Sequence, residues 1–183
     1  AWGCRPLHHG AAHGHAPVVQ VLLEWHASVF TGDRSERTPL HHSARHGHEE
    51  VARVLIDRGV AHEHTDETGD TVLHSFAGFG HVGLLRLLLD RRAEPDVFSG
   101  GGGSVRPLHL AAGAGHIEAV ALLLEARADP GLADADGTLP LHAALQGRHK
   151  EVASLLVPGA RARQTWSTEW FESRPSDDQS HVQ

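Results

Sequence analysis

One short motif recurs along this chain at a nearly constant interval, and that interval limits the folds open to the sequence. The motif is proline or valine followed by leucine and histidine, and its five histidines are separated by 33, 33, 35 and 33 residues. These motif histidines are His8, His41, His74, His109 and His142. Self-similarity at a period of about 20 to 50 residues is typical of repeat proteins, whose single unit cannot bury its apolar face alone. The sequence therefore predicts a stacked array.

A second histidine and an apolar run follow each motif histidine. The second histidines lie seven residues further on, at His15, His48, His81, His116 and His149. The runs that come next are rich in leucine and valine, with the spacing of a helix that buries one face. Proline in the motif suits a first helical turn, where its missing N–H is not needed, and Thr38 and Thr71 offer hydroxyls for capping. Each period therefore predicts two helices.

Motif, period and downstream run together resemble the ankyrin repeat, whose unit is a β-turn followed by two antiparallel helices at a period of about 33 residues. The resemblance implies an all-α fold, an ankyrin-repeat solenoid of β-turns and antiparallel helix pairs, over residues 1–158. The implied units are 1–32, 33–65, 66–100, 101–133 and 134–158. Asp33, Asp66 and Asp134 lead three of the expected turns.

Several positions depart from the ideal unit. Glycines fill positions 100–103 in the turn before the fourth unit, and we expect that turn to be mobile because glycine costs the most entropy to order. His26, Arg92 and Arg127 stand where the resemblance implies a glycine at the end of the second helix. A side chain forced into the left-handed conformation there raises the energy. We therefore expect units one, three and four to be weaker than an idealised repeat.

Residues 159–183 lose the repeat, and their composition is typical of a partly disordered tail. Three aromatic residues interrupt it: Trp166, Trp170 and Phe171. The terminal unit of a solenoid exposes an apolar face that needs a cover. We expect a short capping helix at 165–172 to provide it. The alternative is an exposed linear motif that binds a partner.

Composition argues against several classes of function. The net charge of -7 and the pI near 6.2 leave no broad basic surface, so we expect no nucleic-acid partner. The apolar runs are far shorter than the ~20 residues that cross a bilayer, so we expect no membrane insertion. The single cysteine cannot form an internal disulfide, which favours a reducing compartment, the cytoplasm or the nucleus.

Histidine is the unusual residue of this chain, with 18 copies. Ten occupy the two repeat positions, where the resemblance implies hydrogen bonds to the backbone within and between turns. We expect the motif histidines to be neutral and partly buried. The strongest remaining candidates for chelation are His62, Glu63 and His64. Even so, we expect no metal site and no cofactor.

The sequence offers no convincing catalytic nucleophile. Cys4 is close to His8 in sequence but near a first turn without a pocket. We therefore expect no enzymatic activity.

The resemblance implies a protein partner, held by the turn tips and the first helices. We name this surface the turn face. Its predicted contact residues are Arg34, Arg37, Arg45, His46, Glu67, Asp70, Phe79, Asp136 and Gln146. Positive charge gathers on unit two and negative charge further along, and Phe79 is the strongest anchor because aromatics and arginines dominate interface energetics. We expect a monomeric protein-interaction module with no chemistry of its own.

Two alternatives stay open at this stage. The chain starts at Ala1 and not at methionine, so we expect a piece of a longer protein. It then serves as the recognition segment of a signalling protein or ubiquitin-ligase adaptor whose activity lies in other residues. The second alternative belongs to a different functional class: a sensor of metal ions or pH that works through its histidines. Zinc titration with melting temperature as the readout separates that sensor from a binding module.

Overall fold

Ten short helices make up the described part of the chain. The computed structural model describes residues 4–59, 64–100, 102 and 104–157. The first helices of the five pairs are α1 (Pro6–Ala12), α3 (Pro39–His46), α5 (Val72–Phe79), α7 (Pro107–Ala114) and α9 (Pro140–Gln146). The second helices are α2 (Ala16–Glu24), α4 (Glu49–Asp57), α6 (Val82–Asp90), α8 (Ile117–Glu125) and α10 (Lys150–Leu156). Within the described residues the one strand-like pairing is a bridge between Thr65 and Thr71, so the all-α prediction is confirmed.

Each first helix begins at the motif. The N-cap residue is extended, and its N–H donates to Nδ1 of the motif histidine three residues later, over 3.2 Å from Thr38 to His41 and 3.1 Å from Thr71 to His74. Both threonines occupy the N-cap as expected, and each hydroxyl lies 2.9 Å from the same Nδ1 atom. The backbone bond is also present in the three units whose N-cap is not threonine. The histidine is therefore the constant part of the cap.

The two helices of each unit are joined through a left-handed residue. It is glycine in the first four units, with φ between 71° and 80°, and Arg148 with φ 62° in the fifth. Glycine adopts this conformation freely. Space is a second reason for it, because a Cβ on Gly14 would lie 2.6 Å from Nδ1 of His48 in the next unit. The glycine therefore makes room for the second histidine of the next unit.

The units stack helix on helix around one continuous core. Each first helix packs against the neighbouring first helices, and each second helix against the neighbouring second helices. Small residues such as Ala11, Ala44 and Ala144, all 0% exposed, let the first helices approach closely. Phe76 replaces a small residue in unit three and is fully buried too. Because one unit cannot bury its own apolar face, the stability is nearly a sum of units and interfaces.

The second helices of the first four units are followed by another left-handed residue. Gly59 has φ 79°, while His26, Arg92 and Arg127 have φ 59°, 66° and 72°. Three of these positions thus carry a side chain, as the sequence indicates. A non-glycine residue in this conformation costs roughly 1–2 kcal/mol, which lowers the stability of units one, three and four.

Some predictions fall on residues outside the described part of the chain. Gly101 and Gly103 of the expected mobile turn are among them, as are His62 and Glu63 of the chelation candidate. The same holds for 158–183, which contains the expected capping helix. These expectations stay predictions.

Arg127→Gly is expected to stabilise the array. Glycine takes the φ of 72° without a Cβ clash, so the free energy of unfolding rises by up to about 1 kcal/mol after the entropy of the added glycine is subtracted. Urea unfolding followed by circular dichroism measures the change. The matched control is Arg86→Gly at an exposed position inside α6, which is expected to lose about 1 kcal/mol. Equal destabilisation of the two variants would contradict the strain assigned to position 127.

Candidate functional site

Three turn tips share one design built on an aspartate. Oδ1 of Asp33 accepts the N–H groups of Ser35 at 2.8 Å and Arg37 at 3.1 Å. Asp66 and Asp134 hold their turns in the same way, through the amides two and four residues later. Aspartate favours such turns because its short side chain reaches these amides. The leading aspartates therefore fix the shape of the tips.

Each of the first four motif histidines also reaches the turn of the next unit. Its Nε2 lies 3.0 to 3.3 Å from a backbone carbonyl oxygen there. The pairs are His8 with Arg37, His41 with Asp70, His74 with Val105 and His109 with Thr138. Because Nδ1 accepts the N-cap N–H, it carries no proton, and Nε2–H is the donor. One ring therefore caps its own helix and ties the next turn to it.

Burial keeps these four rings neutral. It lowers the pKa of His8, His74 and His109 below the ordinary value and lowers the pKa of His41 to about 4. The cause is the hydration that an imidazolium ion loses in the interior. Neutral rings are also what the hydrogen bonds require, since a protonated Nδ1 could not accept from the N-cap. The expected neutral, buried state is confirmed for these four.

His142 does not follow this expectation. It is exposed, although its Nδ1 still accepts the N–H of Leu139 at 3.2 Å. The turn of a following unit is what buries the other four rings, and the described residues contain no unit after the fifth. The prediction of a partly buried ring at His142 is therefore wrong.

The second histidines bond in the opposite direction along the array. Three of them place Nε2 3.0 to 3.1 Å from a first-helix carbonyl oxygen of the preceding unit. The pairs are His48 with Ala12, His116 with Gly78 and His149 with Gly113. His81 lacks such a partner for its buried Nε2, and its ring lies 6.5 Å from that of Phe76 and 6.2 Å from that of Phe79. In unit three the ring of His81 thus packs against two phenylalanine side chains.

Exposed rings occupy the ends of the first helices in units one to three. His13, His46 and Phe79 are 33 residues apart, and all three are exposed. Each lies beside the second histidine of its own unit, with ring centroids 6.1 to 6.2 Å apart. We name His13, His46 and Phe79 the ring strip. Ala114 and Gly147 stand at the equivalent positions of units four and five, so the strip ends at unit three.

The structure places most of the predicted contact residues at the surface. The exposed ones are Arg34, Arg45, His46, Glu67, Phe79, Asp136 and Gln146. Arg37 and Asp70 are half-buried: Nε of Arg37 lies 3.6 Å from Oδ2 of Asp66, and burial raises the pKa of the Asp70 carboxyl. The Arg37 side chain is already paired with the next turn and Asp70 is partly covered, which leaves the exposed seven as the better candidates for a partner.

One cluster escapes inspection of the sequence. Cys4, Asp33 and His42 converge between units one and two, with one ligand-type atom from each within 4.8 Å of the other two. Cys4 and Asp33 are 29 residues apart in the chain, and only the repeat register brings them together. Aligning the units with an offset of 33 residues could have found them. In that alignment Cys4 matches Arg37 and Asp33 matches Asp66, and Arg37 and Asp66 form an ion pair.

A match to a known family accords with this geometry. The family model described as "Ankyrin repeats (3 copies)" matches the chain over residues 1–66, 58–134 and 102–165. The chain therefore belongs to the ankyrin-repeat family, and the resemblance seen in its motif is confirmed. No curated protein matches it. None of the helices in the described residues has the length and apolar character needed to cross a membrane.

Stability is expected to fall as the pH drops from about 7 to about 5. The folded pKa of a buried motif histidine lies below the unfolded value of about 6.5. The stability that its neutral form provides is therefore complete above that value and is lost as the pH falls toward the folded pKa, about 4 for His41. Urea unfolding at closely spaced pH values measures the profile.

Two variants assign this profile to the buried rings. His41→Gln removes one titrating group, so its stability is expected to fall less steeply with acid than that of the wild type. His142→Gln makes the same change at an exposed ring and is expected to keep the wild-type slope. A profile that is flat over this pH range would show that the motif histidines do not stabilise the array as neutral groups.

Proposed function

We propose that this chain binds a protein partner through the turn face. Ankyrin repeats are generally protein-protein interaction modules. The observation that carries the proposal for this chain is the exposure of Phe79, an aromatic side chain that keeps 49% of its surface in water on the third of five units. Aromatic side chains near the centre of an interface supply much of its binding energy when a partner covers them.

The ring strip extends this anchor toward unit one. Arg45 and His46 lie one repeat before Phe79, and both are exposed. Phenyl, imidazole and guanidinium groups pack well against aromatic side chains of a partner. Units four and five carry Ala114 and Gly147 at the equivalent positions, and these small residues offer a partner less side-chain surface to bury. The proposed contact is therefore centred on units two and three.

Charge gives the proposed contact a direction. Arg34 and Arg45 carry positive charge on unit two, whereas Glu67 and Asp136 carry negative charge on units three and five. Charges at the rim of an interface add more to orientation and association rate than to affinity. A fitting partner has acidic groups opposite unit two and basic groups opposite the later turns.

The hydrogen bonds of the motif histidines prepare this surface for binding. They connect each first helix to the next turn tip, so both parts of the turn face hold their relative positions before a partner arrives. A surface that is ordered in advance loses less conformational entropy on binding. This supports a recognition role for the face.

The proposed role needs no chemistry within the chain. Ankyrin repeats are typically non-enzymatic interaction domains. In the finer version of the proposal, the array is a monomeric recognition segment of a signalling or ubiquitin-ligase adaptor, and it brings a bound protein to an activity that other residues carry. The single cysteine fits a reducing compartment such as the cytoplasm or the nucleus.

Arg45→Ala combined with Phe79→Ala tests the turn face. The tagged wild-type array is used to retain a partner from source cells, and the partner is identified and purified. The double variant is expected to bind it at least ~30-fold more weakly, which corresponds to about 2 kcal/mol for one aromatic and one arginine at the centre of an interface. Circular dichroism is expected to stay helical because both side chains are exposed.

The matched control removes the same chemistry from the second helices. Trp25, which is 81% exposed at the end of α2, and the exposed Arg53 of α4 are both changed to alanine. This pair is expected to bind the partner like the wild type. Loss of binding in the control, with binding retained in the Arg45 and Phe79 variant, would place the contact on the second helices and contradict the proposed face.

A further inference from the structure

Three side chains with metal-binding chemistry meet where unit one packs on unit two. Cys4 precedes α1, Asp33 leads the turn of unit two and His42 lies on α3. Oδ2 of Asp33 lies 3.9 Å from Sγ of Cys4 and 2.9 Å from Nε2 of His42. All three residues are half-buried. A thiol, a carboxylate and an imidazole therefore converge in a partly enclosed place.

The two carboxylate oxygens of Asp33 have separate roles. Oδ1 accepts the amides of Ser35 and Arg37 and so holds the turn, whereas Oδ2 faces the thiol and the imidazole. One carboxylate oxygen is therefore committed to the turn, and the other is directed at the cluster.

His8 packs against the imidazole of His42, and its own nitrogens are not free to bind an ion. The two rings pack edge to face, with centroids 5.5 Å apart. Both nitrogens of His8 are occupied, Nδ1 by the N–H of Arg5 and Nε2 by the carbonyl oxygen of Arg37. The cluster therefore has three side chains of ligand chemistry, and the ring of His8 packs against one of them.

The interface between units two and three shows which residues occupy the equivalent positions when no metal-binding side chains are paired there. One period further on, Arg37 stands in the position of Cys4, Asp66 in that of Asp33 and Ser75 in that of His42. There, Nε of Arg37 lies 3.6 Å from Oδ2 of Asp66, so a permanent cation balances the carboxylate. The first interface has the same carboxylate oxygen but has a thiol in place of the guanidinium group. A metal ion would supply the balancing charge.

We infer that Cys4, Asp33 and His42 bind Zn²⁺ and that the ion clips unit one to unit two. Thiolate, carboxylate and imidazole are the ligands zinc takes in proteins, with bonds of about 2.0 to 2.3 Å in a tetrahedral arrangement. Tetrahedral bonds of that length place the ligand atoms about 3.5 Å apart. Sγ and Oδ2 therefore need to approach slightly, and Oδ2 and Nε2 to separate slightly.

Small side-chain movements are enough for this, because Cys4 lies outside any helix. The thiol of Cys4 releases its proton to solvent as the Zn–S bond forms. The hydrogen that His42 Nε2 shares with Asp33 moves to Nδ1 through solvent, which frees the Nε2 lone pair for the ion. No electron is transferred. Water completes the fourth position, as in zinc sites with three protein ligands. The bound ion holds the start of unit one against the turn and first helix of unit two.

The single cysteine makes a specific test available. Co²⁺ substitutes for zinc in sites of this kind, and a thiolate ligand gives it a charge-transfer band in the near ultraviolet. Because Cys4 is the one cysteine in the sequence, the band reports this site and no histidine-only site. We expect one equivalent of Co²⁺ to produce the band in the reduced full chain and Zn²⁺ to displace it.

His42→Ser and Asp33→Asn test the other two ligands. Serine is the residue that the next unit carries at this position, and asparagine keeps the acceptor that shapes the turn. Each change is expected to weaken Zn²⁺ binding at least tenfold in competition with a chelating dye and to remove the rise in melting temperature that zinc gives the wild type. His9→Ser, the same change one repeat earlier at an exposed residue, is expected to keep the wild-type affinity.

Two results would overturn the inference. One is the absence of a cobalt–thiolate band in the wild type. The other is a band with the same affinity in the wild type, His42→Ser and Asp33→Asn, because the thiol would then bind cobalt with adventitious ligands. Circular dichroism of the metal-free variants checks their fold. If either fails to fold, Cys4→Arg, which copies Arg37, takes its place, and a zinc response retained by that variant would also overturn the inference.

Discussion

The imidazole ring of a motif histidine holds two backbone segments at once, one through each nitrogen. Nδ1 accepts the N-cap N–H of its own first helix, and Nε2–H donates to a carbonyl oxygen in the turn of the next unit. A single hydrogen bond adds about 0.5–1.5 kcal/mol, but an orphaned buried partner costs about 1–3 kcal/mol. His74, with 0% of its surface exposed, is the clearest case, since its loss would leave both partners unpaired. Cap and interface are therefore one interaction, and it is repeated at four interfaces.

The second histidines complete this arrangement from the other direction. They reach back to the first helix of the preceding unit, and the left-handed glycines beside them leave the space that this approach needs. Three of the four interfaces are thereby fixed by bonds that run both ways along the array, and the interface between units two and three has the bond from His41 with aromatic contacts at His81. The rigid spacing that results is what places His13, His46 and Phe79 in line at the surface. The same spacing brings Cys4 to Asp33 and His42, so the proposed binding surface and this cluster both follow from the way the units are held together.

Much of this fold is readable from the sequence because its determinants are local and repeated. The motif marks where each first helix begins, and the positions of His26, Arg92 and Arg127 mark the left-handed residues after the second helices. What the sequence does not reveal depends on the neighbour across an interface. His142 has the motif but no following turn within the described residues, so it is exposed. Arg37 reads as a surface charge, yet it pairs with Asp66 of the next turn. The cysteine cluster draws its members from two units and is visible only once they are set in register.

Nitrogen-15 NMR of the histidine side chains tests most directly whether the motif histidines bridge the units. If they do, His8, His41, His74 and His109 each populate a single tautomer at neutral pH, with the proton on Nε2 and Nδ1 as the acceptor. Their Nε2–H protons exchange slowly with water, because both ring nitrogens are engaged and the rings are buried. The exposed His142 serves as the internal reference, with fast exchange of its Nε2–H proton. Averaged tautomers with rapidly exchanging protons at the four buried histidines would contradict the account.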